Sequence, residues 1–219
     1  SQKPILVHAE GEEKLAMAIS LAKKHGRRLH LCHIARKEEV AMVKKLKAEG
    51  QKITAGVCPH HLFMTKEDAK KMKGFALMKP ELGAFEEQEA LWKGLKDGAI
   101  DLVETDHAPH TREEKEKEKP LFGVPGLESA VGLLGKAISE KRIAITLFKK
   151  LLYDNPKKIF KIPDQPGTYV EIDFGEKFVL RGPYETKCGW SPFEGWELFG
   201  LVKKVFFEGK AVVENGKLV

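Results

Sequence analysis

The 219-residue sequence has few cysteines, and none of them form a metal-binding pair. Cys32, Cys58 and Cys188 are far apart, and there is no Cys-x-x-Cys motif. This pattern excludes a disulfide-rich secreted scaffold and favours a reducing cytoplasm. No apolar run approaches the roughly 20 residues that a membrane span requires. No signal peptide is recognisable either, so we expect a cytoplasmic protein without membrane contact.

The sequence also lacks the signatures of several common enzyme classes. It has no glycine-rich phosphate loop of the P-loop or Rossmann type, and no Gly-x-Ser-x-Gly elbow that would expose a serine nucleophile. Neither sign of charge is scarce: 38 Lys and Arg stand against 32 Asp and Glu, and the net charge of +6 is spread along the chain. This distribution favours a solvated charged surface over nucleic-acid binding. The cationic excess would attract a small anionic substrate.

Short apolar runs alternate with helical patterns over the first half of the chain, which predicts repeated β-α units and a parallel sheet. The predicted strands lie at residues 5–7, 29–33, 53–57 and 101–105. Four such strands make half of a parallel α/β barrel. Because the sequence starts with Ser and runs at once into a strand, we expect the downstream part of a longer polypeptide. From about residue 168 the pattern changes to period two, so we predict a partial barrel domain over 1–165 and a small β subdomain over 166–219.

Three of the predicted strands end in, or are followed at once by, a histidine or an aspartate: His8, His33 and Asp106. A single histidine in this position is more often a hydrogen-bonded core residue than a ligand. Three such residues on the common rim of a parallel sheet favour a divalent metal site, because imidazole and carboxylate are zinc ligands. In a hydrolytic site, Asp106 can also accept a proton from the attacking water and pass it to a leaving nitrogen.

Other polar residues near these strand ends are weaker candidates. His110 follows Asp106 by four residues, and we expect it either to bind a substrate carboxylate or carbonyl, or to pack within its loop. Lys79 is either a cation for an anionic substrate or a solvated surface lysine. His60 and His61 follow the third strand, and we interpret them as groups that orient the ligands or line the mouth. Cys32, next to His33, is a further candidate to support the ligands from behind. The Lys- and Glu-rich segment 111–125 is either a solvated loop or a mobile flap.

Taken together, these motifs resemble the dihydroorotases of the amidohydrolase superfamily. The resemblance covers nearly the whole chain and is carried by Val-His-Ala-Glu at His8, Leu-Cys-His-Ile-Ala-Arg at His33, Cys-Pro-His-His-Leu-Phe at His60, Lys-Pro-Glu-Leu-Gly at Lys79, Thr-Asp-His-Ala-Pro-His at Asp106, Gly-Val-Pro-Gly-Leu-Glu at Gly123 and Trp-Ser-Pro-Phe-Glu-Gly at Trp190. It implies a zinc-dependent hydrolase, with two zinc ions in the full-length enzyme. The implied reaction is the reversible hydrolysis of (S)-dihydroorotate to N-carbamoyl-L-aspartate in pyrimidine biosynthesis.

The resemblance also implies individual roles. His8 and His33 match the two histidines that bind the more exposed metal, whereas Asp106 matches the aspartate that binds the other metal and moves the proton. His110 matches a histidine that contacts the substrate, and Lys79 stands where some members direct an arginine towards it. Cys32 matches a cysteine that binds an additional zinc in some multifunctional relatives. Gly56 stands where those relatives have a further ligand, a glutamate, which argues against that additional ion.

The sequence departs from the family by lacking its His-x-His pair, the arginine that follows, and the bridging carboxylated lysine or aspartate. The strands present therefore correspond to the fifth to eighth of the barrel, and we expect this chain to be inactive without the N-terminal half. Expected partners are that half, a small anionic substrate, and aspartate carbamoyltransferase or further copies of the same protein. The alternatives are another cyclic amidase (hydantoinase, dihydropyrimidinase or allantoinase) and a non-catalytic scaffold for aspartate carbamoyltransferase.

Overall fold

The first half of the protein forms a parallel four-stranded sheet. A computed structural model describes residues 3–219. The strands are β1 (Ile5–Val7), β2 (Leu29–Leu31), β3 (Ile53–Val57) and β4 (Leu102–Val103). They pair in chain order, and every pair is parallel. This arrangement places the carboxyl ends of all four strands at one edge, where the predicted site residues follow.

Helices separate the strands, as the alternating pattern predicts. They are α1 (Glu12–Lys24) between β1 and β2, α2 (Lys37–Ala48) between β2 and β3, and α3 (Pro59–Phe63), α4 (Lys66–Met72), a 3₁₀ turn (Lys73–Ala76) and α5 (Phe85–Asp97) between β3 and β4. The apolar faces of the three long helices are buried against the sheet in one core. In α1 this face comprises Leu15, Ile19 and Ala22, whose helical spacing was evident in the sequence.

Two strands are shorter than predicted. The second strand ends at Leu31 and not at residue 33, and the fourth covers only Leu102–Val103 of the predicted 101–105. β4 pairs with Gly56 and Val57, and this pairing stops where β3 ends. Pro59 then starts α3, and proline has no N–H group with which to extend a sheet.

The second half contains a group of helices and then an antiparallel sheet. The helices are α6 (Arg112–Glu116), α7 (Leu127–Ser139), α8 (Ile145–Lys149), a π-helical turn (Lys150–Asp154) and α9 (Asn155–Phe160). The sheet consists of β5 (Tyr169–Val179), β6 (Glu197–Phe207), β7 (Lys210–Glu214) and β8 (Lys217–Leu218), paired in chain order. The period-two pattern after residue 168 thus predicted this sheet correctly.

The antiparallel sheet lies against α7, and a glycine permits the close approach. A Cβ atom on Gly135 would lie 2.2 Å from the Phe199 carbonyl oxygen of β6, so no larger residue fits without movement of the backbone. The α/β class, with a parallel sheet followed by a small β unit, is confirmed. The predicted boundary between residues 165 and 166 falls in the connection from α9 to β5, and it stays a prediction.

One side of the parallel sheet carries unusual apolar exposure. Ile5 and Leu6 of β1 and Met17 and Leu21 of α1 are exposed, Leu6 to 56%. Ile5, Met17 and Leu21 border an open apolar groove of about 770 Å³ beside β1. No helix within residues 3–219 has both the length and the apolar character needed to cross a bilayer.

Candidate active site

The predicted ligands occupy the carboxyl edge of the parallel sheet. His8 follows β1 directly, and His33 and Asp106 lie two and three residues beyond the ends of β2 and β4. His33 and Asp106 both have a positive φ, of 41° and 43°. This conformation is uncommon for residues other than glycine and is concentrated at functional sites. In both cases the chain turns sharply away from the strand direction at the predicted ligand.

Five side chains line one shallow pocket of about 250 Å³ at this edge: His8, Cys32, His33, Glu104 and Asp106. The two imidazoles converge, with His8 Nδ1 2.7 Å from His33 Nε2. The other ring nitrogen of His8, Nε2, lies 3.0 Å from Glu10 Oε1. His33 is buried, whereas His8 and Asp106 are exposed, so the pocket is open to solvent.

Asp106 shares this pocket but stands further from the imidazoles. Within residues 3–219, only two clusters bring three metal-binding atoms within 4.8 Å of one another: Cys58–His60–His61 and His30–Cys32–Glu104. His8, His33 and Asp106 do not meet that criterion together. Two imidazole nitrogens 2.7 Å apart, with a carboxylate lining the same pocket, are nevertheless a donor set that suits zinc. Shared coordination by these three residues stays a prediction.

Glu104 is the site residue that the sequence analysis missed. Its Oε1 accepts a hydrogen bond from the backbone N–H of His33 at 2.6 Å, and its Oε2 lies 3.4 Å from His30 Nε2. The carboxylate fits because residue 56 is glycine: a Cβ atom there would lie 2.2 Å from Glu104 Oε1. Glu104 therefore holds the turn that presents His33. The signal available in the sequence was a carboxylate two residues before Asp106.

Cys32 lies beside Glu104 at the back of the pocket. Burial, and secondarily the negative charge of Glu104, raises the pKa of the Cys32 thiol to about 11. The thiol is therefore protonated at neutral pH and is not a nucleophile. The role predicted for Cys32, as a group that supports the ligands from behind, stays a prediction.

His60 and His61 are fully buried behind the rim, in α3. Burial lowers the pKa of His61 to about 4, and it lowers the pKa of His60 well below its usual range. His33 lowers both pKa values further through its charge, so the three imidazoles lie within electrostatic reach of one another. Both rings are accordingly neutral at pH 7. Neither ring lines the pocket of His8 and Asp106, and the role predicted for the two histidines stays a prediction.

His110 and Lys79 both contact Phe122, which lies in the segment 111–125. His110 Nε2 donates to the Phe122 carbonyl oxygen at 2.9 Å, and Lys79 Nζ lies 4.8 Å from the centre of the Phe122 ring. Trp190 donates to the His110 carbonyl oxygen at 2.7 Å. Neither His110 nor Lys79 lines the pocket of His8, and their substrate-binding roles stay predictions.

The segment 111–125 is more ordered than a solvated loop. It contains the short helix α6, and Lys115 within it is only 1% exposed. The Lys115 ammonium donates to three carbonyl oxygens, of Leu77, Leu121 and Gly123, at 2.7–3.0 Å. Through the hydrogen bond to Leu77, this lysine attaches the segment to the loop that contains Lys79.

The chain is similar in sequence to dihydroorotases and to a multifunctional protein. No family model matches it. It is 40% identical to Multifunctional protein CAD of Squalus acanthias over 218 residues, which are 99% of this chain and 10% of that protein. It is 33% identical to the dihydroorotase of Lactobacillus helveticus over 216 residues, 93% of this chain and 51% of that enzyme. The chain thus spans about half the length of the curated dihydroorotases it matches.

Structural comparison agrees. The inactive dihydroorotase-like domain of the Chaetomium thermophilum CAD-like multifunctional protein matches 99% of this chain and 60% of that domain, with a TM-score of 0.81 and 30% identity. The L-hydantoinase of Arthrobacter aurescens matches 94% of this chain and 49% of that enzyme, with a TM-score of 0.88 and 23% identity, and shows the fold alone. This chain is therefore similar in sequence to about half the length of the dihydroorotases, and in sequence and fold to part of a dihydroorotase-like domain.

Proposed function

We propose that this chain is part of a metal-dependent cyclic amidohydrolase that interconverts dihydroorotate and N-carbamoyl-aspartate. The observation that carries the proposal is the convergence of His8 Nδ1 and His33 Nε2, 2.7 Å apart, in a pocket that Asp106 also lines. The likeness to dihydroorotases along 93% of the chain supports the choice of substrate.

His8, His33 and Asp106 are the residues that would hold the metal, and zinc is the ion we propose. The ion would act as a Lewis acid and lower the pKa of water. Small movements of the side chains would bring Asp106 to the two imidazoles, because His8 and Asp106 are exposed and unconstrained by a core. The backbone of His33, in contrast, is fixed by Glu104.

In the proposed reaction, Asp106 accepts the proton that water loses as its oxygen attacks the ring carbonyl carbon. The ring C–N bond then breaks, and the same carboxyl group gives that proton to the departing nitrogen, so no proton is gained or lost. Lys79 and His110 would bind the anionic carboxylate of the substrate. His110 bonds the Phe122 carbonyl oxygen and Lys79 lies over the Phe122 ring. A substrate bound by these two residues would therefore bring the segment that carries Phe122 over it.

The proposal includes a further segment that completes the barrel. The outer edge of β1 and the exposed apolar groove of about 770 Å³ beside it form a surface that additional strands and helices would bury. A site built from half of the strands would lack ligands for a second ion, and we propose that this chain alone is inactive.

The intact mass of the native protein and the sequence upstream of Ser1 provide the first test. We expect a longer polypeptide with a His-x-His pair, and a different motif at that position would refute the proposal. The second test measures zinc content and turnover of dihydroorotate and hydantoin by the native protein and its Asp106→Asn variant. We expect bound zinc, turnover of dihydroorotate in preference to hydantoin, and loss of turnover in the variant.

A non-catalytic domain is the second candidate, and one relative favours it. The dihydroorotase-like domain of the Chaetomium thermophilum protein is described as inactive and is 30% identical to this chain. A native protein that binds no zinc and turns over neither substrate would support this candidate, with aspartate carbamoyltransferase as the enzyme to test for binding. Preferential turnover of hydantoin would instead support the hydantoinase alternative.

A further inference from the structure

A second group of metal-binding side chains lies behind the pocket. Cys58 lies between the end of β3 and the start of α3, and His60 and His61 lie in the first turn of α3. One ligand atom from each of the three lies within 4.8 Å of the other two. All three residues are almost completely buried: Cys58 is 0% exposed, and His60 and His61 are each 2% exposed.

The imidazoles of this group have buried nitrogens without partners. Within residues 3–219, only four buried side-chain polar atoms lack a hydrogen bond, and two of them are His60 Nε2 and His61 Nδ1. A third is Nδ1 of the neighbouring ligand His33. A buried polar atom without a partner destabilises the fold because it has lost its hydrogen bonds to water, so the unpartnered nitrogens of these three imidazoles need an explanation.

The protonation state of His61 suits a ligand. His61 Nε2 lies 2.9 Å from the carbonyl oxygen of Pro80, an acceptor, so Nε2 carries the hydrogen and donates it. His61 Nδ1 therefore holds a free lone pair. Histidines that bind metals commonly donate their other N–H to a backbone carbonyl in this way, which fixes the tautomer and the orientation of the ring.

We propose that Cys58, His60 and His61 bind one zinc ion in a buried site, separate from the hydrolytic centre. A thiolate and two neutral imidazoles are ligands that zinc selects, and all three residues are buried and lie outside the solvent-open pocket of His8 and Asp106. Binding replaces the Cys58 thiol proton, which passes to solvent, with a sulfur–zinc bond. The two imidazoles contribute lone pairs and release no proton.

Such an ion would connect three parts of the rim. Cys58 follows β3, His60 and His61 begin α3, and the His61–Pro80 hydrogen bond reaches the loop of Lys79. Because zinc must displace the Cys58 thiol proton, its affinity for the site is expected to rise with pH.

Cobalt substitution tests the proposal. Co²⁺ bound to a thiolate gives an intense charge-transfer absorption that nitrogen and oxygen ligands do not give. Native protein, stripped of metal and titrated with Co²⁺ alone, is compared with Cys58→Ser, Cys32→Ser and Cys188→Ser. We expect the band in native protein and both control variants, and its loss in Cys58→Ser. A band that disappears in Cys32→Ser and persists in Cys58→Ser would overturn the proposal.

Zinc K-edge absorption spectroscopy covers the case in which Cys58→Ser does not fold. Native protein loaded with zinc should show a zinc–sulfur distance of about 2.3 Å, and this distance should persist in Cys32→Ser, which retains Cys58. Zinc bound only by nitrogen and oxygen in native protein would refute the site. That result leaves the proposed hydrolytic activity unaffected, because it depends on His8, His33 and Asp106.

Discussion

The space at Gly56 and the carboxylate of Glu104 are predicted to be energetically coupled. Replacing Glu104 with alanine removes the acceptor 2.6 Å from the buried N–H of His33, at a residue with positive φ. Hydrogen bonds to charged groups contribute about 1.5–3 kcal/mol, so we expect Glu104→Ala to lower the free energy of unfolding by about 2 kcal/mol. Glu104→Gln retains an acceptor and should cost less.

Gly56→Ala acts on the same contact from the other side. A Cβ atom at residue 56 would lie 2.2 Å from Glu104 Oε1, 2.5 Å from its Cδ and 3.0 Å from Leu102 Cδ1. In the Gly56→Ala single variant, which keeps Glu104, the carboxylate must therefore leave its position. When Glu104 is already alanine, only the contact with Leu102 remains, and the cost of Gly56→Ala should fall.

A double-mutant cycle measures this coupling by urea denaturation of native protein, the two single variants and the double variant. We expect the double variant to be more stable than the sum of the single costs implies, by about 1–2 kcal/mol, within the range seen for residues in contact. Gly98→Ala, at a glycine with no neighbour within 4 Å of its Cβ position, serves as a control that should not couple to Glu104→Ala. Additivity of Gly56→Ala and Glu104→Ala within about 0.5 kcal/mol would refute the arrangement described for Glu104.

Three further predictions concern other parts of the chain. Burial lowers the pKa of Lys115 to about 8, so between pH 8 and 10.5 the unfolded state binds more protons than the folded state. The free energy of unfolding should therefore rise with pH over this range, by up to about 3 kcal/mol. Urea denaturation should show that Lys115→Met loses this rise and that Lys117→Met keeps it. Asn155 Nδ2 donates to the Asp101 carbonyl oxygen at 2.6 Å, so Asn155→Ala should cost about 1–2 kcal/mol in a thermal or urea unfolding measurement, and no change would contradict that bond. Leu6→Lys should leave the stability of this chain within about 0.5 kcal/mol, because Leu6 is exposed; the same change should destabilise the longer polypeptide more strongly, and equal effects in both would contradict a completed barrel.

The sequence was sufficient for the parts of the fold that depend on local patterns. Helical spacing in α1 and the period-two pattern in β5 are properties of a few consecutive residues, and both led to the correct element. The strand lengths were less accurate, because they depend on partners. β4 stops where β3 stops, and β3 is ended by Pro59, which is over forty residues earlier in the chain.

The same distinction explains which site residues were found. His8 directly follows β1 and His33 lies two residues beyond β2, so their position relative to apolar runs was enough to identify them as neighbours. Glu104 was missed because its role depends on the absence of a side chain at Gly56, and nothing in the residues around Glu104 records that absence. Contacts across strands decide which carboxylate reaches a backbone N–H, and those contacts follow from the register of β3 and β4. A sequence pattern therefore locates the rim of this site, whereas the side chains that hold the rim in place become identifiable only once the strands are paired.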